Sequence, residues 1–235
     1  DGGKNDMTNT KNRFWHHAAI PVGKGKSAVH IHLPSVDKPL WVYANVRYKL
    51  EKPISGAGYY YGSYTANSFN LSSLMKTVSV AELKKAGIVP TLKPRLRIED
   101  FKGDWKKEWF SYKVEKWGIR THKLYDSTWV APDGAKLCFE VRAQMANKMT
   151  VGIDAFATEV ALPGKNEWKS VKLSANDFKD AEGKPLANWN GVKELRLDEA
   201  ENLRPPRGSK AKPRRLGGQW KGQAPEFRNL RWVSE

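Results

Sequence analysis

EWKSVKLSANDFKDAEGKPLANWNGVKELRL, residues 167–197, is the stretch that decides the fold. At its start apolar Val171 and Leu173 alternate with polar residues, and at its end Leu195 and Leu197 do the same. A period of two is typical of strands with one buried and one solvated face. The Asp, Gly, Pro and Asn residues between these segments favour turns. The stretch therefore predicts two strands joined by a turn-rich connection.

The rest of residues 93–235 repeats this pattern. It predicts strands at 96–100, 108–112, 119–124, 136–144, 148–155, 167–173, 192–197 and 227–233. Many short strands with regular turn signals favour a β-sandwich over a parallel sheet. Residues 203–221 differ, because they hold seven basic residues, no acidic residue and several Gly and Pro. We interpret them as a long loop before the last strand.

The first part of the chain is also β-rich. A polar, flexible lead-in is predicted at 1–12, and a small Ig-like or β-sandwich domain at 13–92. Ser79 and Glu82 have the spacing of a capping box and predict one short helix that stops at Gly87. The Pro-bounded connector VPTLKP places the domain boundary between residues 92 and 93. The predicted fold class is all-β, with a larger sandwich at 93–235.

Composition limits the class of protein. The 235 residues carry a net charge of +16, from 41 basic and 25 acidic side chains, and include ten tryptophans. No apolar run approaches the ~20 residues that a membrane span needs. Cys138 is the only cysteine, so an internal disulfide is excluded. The basic charge would attract nucleic acid, but it is spread along the chain and no nucleic-acid-binding motif accompanies it.

No catalytic signature is visible, and in particular there is no G-x-S-x-G motif. We therefore look for binding residues rather than for a catalytic set. Exposed indole rings can stack on the apolar face of a sugar. The tryptophans in turns or beside charges are Trp105, Trp109, Trp117, Trp129, Trp189 and Trp220. Of these we predict Trp105, Trp109, Trp189 and Trp220 as ligand contacts. Four cations alternate with core positions on different strands and could contact acidic groups: Arg142, Lys172, Arg196 and Arg231. They form one basic face if their strands are neighbours, and two if the strands belong to opposite sheets. The alternative interpretation is that the tryptophans hold loops in place and the charges are solvated.

Three motifs in order resemble those of galactose-binding-like jelly rolls, which occur in many carbohydrate-binding modules. The first is Glu99-Asp100-Phe101, and the last is Phe227-Arg228-Asn229, where the Asp that usually precedes Asn is missing. The middle motif comprises Trp168, Ser174, Asp177, Phe178, Trp189, Val192 and Leu195. The resemblance implies a jelly roll at 93–235 that binds carbohydrate. It also implies that Glu99, Asp100 and Asn229 occupy positions where related domains hold a structural Ca²⁺; no other cofactor is expected.

A second resemblance covers nearly the whole chain. The segments FWHHAAIP, KPLWVYANVRY, GYYYGSYTANSFNLSS and VAELKKAG look like the region behind the catalytic domain in some secreted bacterial α/β-hydrolases. Those are esterase-like or dienelactone-hydrolase-like enzymes. The resemblance implies a catalytic α/β-hydrolase domain on the same precursor and an extracellular, periplasmic or cell-surface location.

Together these patterns predict a non-catalytic module that binds a polysaccharide, and the charge favours an acidic one. Two other functions stay open. The first is a glycan-acting enzyme, either a jelly-roll polysaccharide lyase or another kind. A lyase would use Arg142 and Lys172 to neutralise a uronate and a tyrosine at 59–61 as the base. A purely structural domain would only orient the hydrolase.

Overall fold

The computed structural model of the chain describes residues 18, 28–58, 62–112 and 115–234. Within these ranges the chain is mostly β-structure, with fourteen strands, one α-helix and four short 3₁₀ segments. It separates into two compact units, Ile31–Leu92 on the one hand and Asp1–His30 with Lys93–Glu235 on the other. The predicted lead-in at 1–12 lies outside the described residues. None of the helices in the described ranges is long and apolar enough to cross a membrane.

The unit Ile31–Leu92 contains two small antiparallel sheets and the helix. Its elements are β1 (Leu40–Val42), β2 (Asn45–Gly58), β3 (Gly62–Ser72), β4 (Lys76–Val78) and α1 (Val80–Lys85). β2 pairs with β3 in a long hairpin, and β1 pairs with β4. The capping box predicted at the start of α1 is confirmed, because Ser79 and Glu82 exchange side-chain to backbone hydrogen bonds.

Apolar side chains of this unit are largely exposed. Leu83 is the one buried apolar residue among those described in it, whereas Val46, Tyr48, Phe69 and Leu71 on the hairpin are exposed. A two-stranded sheet has no second layer that could bury its apolar side chains. The described part of the unit therefore shows strands, as predicted, but not the two packed sheets of an Ig-like domain.

The second unit holds two four-stranded antiparallel sheets and a separate hairpin. Its strands are β5 (Arg97–Glu99), β6 (Ile119–Thr121), β7 (Lys136–Arg142), β8 (Asn147–Ile153), β9 (Phe156–Leu162), β10 (Lys169–Leu173), β11 (Leu195–Asp198), β12 (Ala200–Leu203), β13 (Arg214–Gly217) and β14 (Glu226–Val233). The first sheet has the order β10-β7-β14-β5 and the second sheet the order β6-β11-β8-β9. β12 and β13 pair only with each other among the described strands.

The core of this unit forms from the inward residues of both sheets. In β7 Leu137, Phe139 and Val141 are buried, while the residues between them are half-buried. Inward residues of β8, β11 and β14 join them in one cluster: Met149, Val151, Ile153, Leu195, Leu197, Leu230 and Trp232. Each such side chain stabilises the fold by about 1.5–3 kcal/mol when it is fully buried. The alternation read from the sequence therefore gives a sandwich-like arrangement.

The stretch 167–197 connects the two sheets. Its first strand, β10, lies at an edge of the first sheet, and its second strand, β11, lies inside the second sheet. Between them a 3₁₀ segment, Ala175–Asp177, is capped by Ser174, and Phe178 is completely buried. The connection is therefore anchored in the core, and it carries the chain from one layer to the other.

The observed elements differ from the predicted ones in several places. Residues 108–112 form no strand but a single bridge from Phe110 to Arg120, preceded by the 3₁₀ segment Trp105–Glu108. The strand β9 was not predicted. Residues 203–221 are not one long loop, because β13 pairs with β12 in a hairpin.

Candidate functional site: the outer faces of the two sheets

The outer face of the first sheet carries a row of basic residues. Lys172 on β10 is opposite Cys138 on β7, Cys138 is opposite Arg231 on β14, and Arg231 is opposite Arg97 on β5. Neighbouring strands lie about 4.8 Å apart, so the row is about 14 Å wide. Lys136 lies two residues before Cys138 and on the same side of β7. We call Arg97, Lys136, Lys172 and Arg231 the basic face.

Three cations of the basic face are exposed and lack an ion pair among the described residues, although the charge of Arg231 helps to lower the pKa of the Glu140 carboxyl. Arg97, Lys172 and Arg231 are all exposed. None of the three makes an ion pair with the described carboxylates. Like charges on neighbouring strands repel each other. The repulsion between Arg97 and Arg231 on neighbouring strands therefore costs stability.

Cys138 in the middle of the row adds no negative charge. Burial raises the pKa of its thiol above the ordinary value of 9.0, although the charges of Lys172, Arg231 and Lys136 act in the opposite direction. The thiol is therefore protonated at neutral pH. A protonated thiol is a weak nucleophile, so this residue fits a neutral spacer between cations.

Arg142, which the sequence predicts as a ligand contact, is occupied by neighbours. Its guanidinium carbon lies 4.9 Å from the ring centroid of Trp168, and that of Arg228 lies 4.1 Å from the same centroid. Arg142 Nη2 also donates to Glu226 at 2.7 Å. Cation–π contacts of this kind are worth about 0.5–2 kcal/mol each. Arg142 is therefore a neighbour of the basic face that is already partly neutralised.

Glu140 neutralises Arg228, the second arginine beside Trp168. Arg228 donates to both of its carboxylate oxygens at 2.9 Å, and Asn229 Nδ2 donates to Oε2 at 2.7 Å. The hydrogen bonds from Arg228 and then from Asn229 lower the pKa of the Glu140 carboxyl. Asn229 has φ 57° at the irregularity between Arg228 and Arg231, a conformation that Asn tolerates better than most residues.

The sequence did not predict that Trp168 contacts Arg142 and Arg228. The motif that contains Trp168 points only to a fold, and the two arginines are far from it in sequence. Its place beside Arg142 and Arg228 follows from the pairing of β7 with both β10 and β14. That pairing could not be read from one sequence.

Arg196 lies on the other sheet and is buried. It alternates with Leu195 and Leu197, as predicted, but β12 lies against its outer side and leaves it 5% exposed. Its Nε donates to Glu201 at 2.9 Å and its Nη1 to Glu194 at 2.7 Å. The prediction that Arg196 contacts a ligand is therefore wrong, because two carboxylates take up its hydrogen-bonding groups inside the fold.

Two of the four predicted tryptophans are core residues. Trp109 is 7% exposed and its Nε1 donates to Glu99; Trp189 is 6% exposed and its Nε1 donates to the backbone oxygen of Ala135. Their rings have no free face for a sugar. The prediction that they bind a ligand is corrected, since they anchor connections to the core.

The other two tryptophans stand at the ends of an aromatic row. The row runs from Trp105 to Phe101 at 5.1 Å, to Phe227 at 5.4 Å, to Trp117 at 5.9 Å and to Trp220 at 4.9 Å between centroids. All five rings are half-buried and pack against the core. Trp105 and Trp220 thus keep partly open rings, which stay candidates for stacking.

The predicted calcium position is taken up by other contacts. The Glu99 carboxylate accepts hydrogen bonds from Trp109 Nε1 at 3.0 Å and from Lys123 Nζ at 2.7 Å. Asp100 accepts from the backbone of Lys102, and Asn229 donates to Glu140 instead of turning to Glu99. An ammonium group already neutralises the Glu99 carboxylate, so these residues do not fit Ca²⁺. No cluster of three or more His, Cys, Asp or Glu side chains suited to a metal occurs in the described ranges.

The tyrosines at 59–61, predicted as the base of a lyase, lie outside the described residues. Comparisons with known protein families, with curated proteins and with solved structures returned no match.

Proposed function

We propose that this chain binds an acidic polysaccharide without catalysis, through the basic face, as an accessory part of an extracellular hydrolase. The observation that carries the proposal is the row of three exposed cations, on β10, β14 and β5, that make no ion pair with the described carboxylates. A polysaccharide with a carboxylate or sulfate on its sugars presents repeated negative charges along one line. Such a chain can contact Lys172, Arg231 and Arg97 at the same time.

The proposal includes a finer assignment of the fold, a jelly roll of the galactose-binding-like kind. Two features support it. The chain passes from one sheet to the other at almost every step, with the hairpin of β8 and β9 as the exception among the eight sandwich strands. The first and last of these strands, β5 and β14, are neighbours. Eight strands in two antiparallel sheets are the composition of a jelly roll.

Several weak contacts must act together at this face. An exposed ion pair is worth only about 0–1 kcal/mol and is screened by salt. Binding by the basic face should therefore need a polymer and should weaken as salt rises. The half-buried rings of Trp105 and Trp220 would add stacking contacts that salt does not screen.

A binding-and-turnover screen tests this function. The whole chain is incubated with polygalacturonate and with neutral galactan, at low and high salt, and both retention and ultraviolet-absorbing unsaturated product are measured. The proposal predicts salt-sensitive retention on polygalacturonate without product. Product would overturn it in favour of a lyase, and absence of retention on both polymers would favour a structural domain.

A charge-matched pair of double variants makes the screen specific. Lys172→Gln with Arg231→Gln removes two charges from the basic face. Lys84→Gln with Lys85→Gln removes two charges from exposed positions of α1. The basic-face double variant should lose most of its retention on polygalacturonate, whereas the α1 double variant should keep it. Equal losses would show that net charge, and not the basic face, is responsible.

A further inference from the structure

A pocket lies on the outer side of the second sheet. It has a volume of about 360 Å³ and is formed by β6, the end of β11 and the hairpin of β12 and β13. That volume falls at the small end of the range of ligand sites. Its charged lining residues are Lys116, Arg120, Asp198, Glu201, Arg204 and Arg215.

The acidic residues of the pocket already have donors. Asp198 Oδ1 accepts the backbone N–H of Glu199 at 2.7 Å, and Glu201 Oε2 accepts Arg196 Nε at 2.9 Å. The Glu201 carboxylate has further lone pairs that can accept a hydroxyl group. Glu201 can therefore help to orient a ligand, and the charges of both acids are partly compensated within the protein.

Two of the cations have no acidic partner. Lys116 binds Glu199, and Arg120 Nη1 lies 3.7 Å from Glu194. Arg204 and Arg215, by contrast, are exposed and make no ion pair with the described carboxylates. Arg215 is directly opposite Asn202 on β12, and Arg204 follows the end of that strand. The two guanidinium groups and the Asn202 amide thus stand on one edge of the pocket.

The rest of the pocket is held in place. Arg196 fixes β12 to the sheet through Glu201, and Gly217 of β13 donates its N–H to Glu159 of β9 at 2.8 Å. The hydrogen bond from Lys148, followed by that from Gly217, lowers the pKa of the Glu159 carboxyl. Its charge is therefore present at neutral pH and holds the hairpin. A pocket with fixed walls loses little entropy when a ligand binds.

We propose that this pocket binds a single acidic sugar unit, independently of the polysaccharide site on the basic face. The sugar carboxylate pairs with Arg204 and Arg215, since guanidinium groups match a carboxylate well. Its hydroxyl groups bond with Asn202 and with Glu201. A neutral sugar cannot form the pair with the arginines.

Titration of the whole chain with glucuronate and with glucose, followed by NMR, tests this site. Glucuronate should shift signals of β12 and β13, and glucose should not. Arg204→Gln and Arg215→Gln should each weaken glucuronate binding about tenfold or more, because each removes a charged hydrogen bond. Asn202→Ala should weaken it without any change in charge. Arg207→Gln, at an exposed position of the same hairpin outside the pocket, is the control and should leave it unchanged.

The two sites are distinguished by the basic-face variant. Lys172→Gln with Arg231→Gln should keep full affinity for glucuronate even if it loses the polysaccharide. Loss of glucuronate binding in that variant, together with normal binding by Arg215→Gln, would overturn the pocket. Equal binding of glucose and glucuronate, or no binding of glucuronate at all, would overturn it as well.

Discussion

The outer faces of the two sheets share one pattern of residues but differ in what covers them. On the first sheet Lys172 on β10 and Arg231 on β14 stand exposed on either side of β7. On the second sheet Arg196 has the same alternation with leucines, yet it is buried between Glu194 and Glu201. The hairpin of β12 and β13 makes this difference, since it packs against β8 and β9. An outward cation is therefore left exposed on the open face, whereas it is a structural group on the covered face.

The largest difference between the two faces is expected in how much one arginine on each face contributes to the stability of the fold. Arg196→Ala should lower the free energy of unfolding by about 3–5 kcal/mol, because it leaves Glu194 and Glu201 close together without their shared cation. Arg231→Ala, the matched change on the open face, should alter it by less than about 0.5 kcal/mol. Urea denaturation of both variants measures the two values. If both changes cost the same, the second sheet is not held by this arginine.

Gly152 offers a second way to break the covered face. A Cβ added there would come within 2.7 Å of the Arg196 Nε. Gly152→Ala should therefore displace the guanidinium and cost about 1–3 kcal/mol of stability. Gly218→Ala is the control, since a Cβ at that position meets nothing within 4 Å. Thermal unfolding would contradict the tight fit if Gly152→Ala unfolded at the same temperature as the control.

A smaller effect is expected from pH. Burial raises the pKa of the Glu194 carboxyl, but the hydrogen bond and charge of Arg196, with His122 and Arg120, outweigh it and hold the pKa below its ordinary value of 4.5. The unfolded chain then binds more protons than the native protein in this range. Stability from this group is thus complete above pH 4.5 and is lost as pH falls through the native pKa.

Glu194→Gln removes this titration. The variant should be less stable than the unchanged protein at pH 7, and the difference should shrink as the pH falls below 4.5. Urea midpoints over this pH range measure the effect. A difference that stays constant with pH would show that the carboxylate charge is not what stabilises the covered face.

Local patterns in the sequence predict a large part of the fold. The alternation in 167–197 predicts β10 and β11 because burial of one face needs a period of two. It does not predict that the two strands lie in different sheets, since pairing joins residues that are far apart in sequence. β9 escaped prediction because its apolar residues Ala157, Val160 and Leu162 do not alternate regularly.

The candidate site was predictable to a smaller degree. Lys172 and Arg231 were identified as outward cations, and the structure places them in one row across β7. Arg196 satisfied the same criterion, because alternation gives the direction of a side chain but not whether another segment covers it. The segment that covers Arg196 is β12. It is held there by its hairpin with β13, whereas the sequence predicts only a long loop at 203–221.

The comparison of the two faces rests most directly on one measurement, the affinity for a long acidic polysaccharide of two charge-matched double variants. One is Lys172→Gln with Arg231→Gln on the open face, and the other is Arg204→Gln with Arg215→Gln on the hairpin that covers the second sheet. Isothermal titration with polygalacturonate should show a much larger loss of affinity for the open-face variant. Equal losses, or a larger loss for the hairpin variant, would contradict the assignment of polysaccharide binding to the open face.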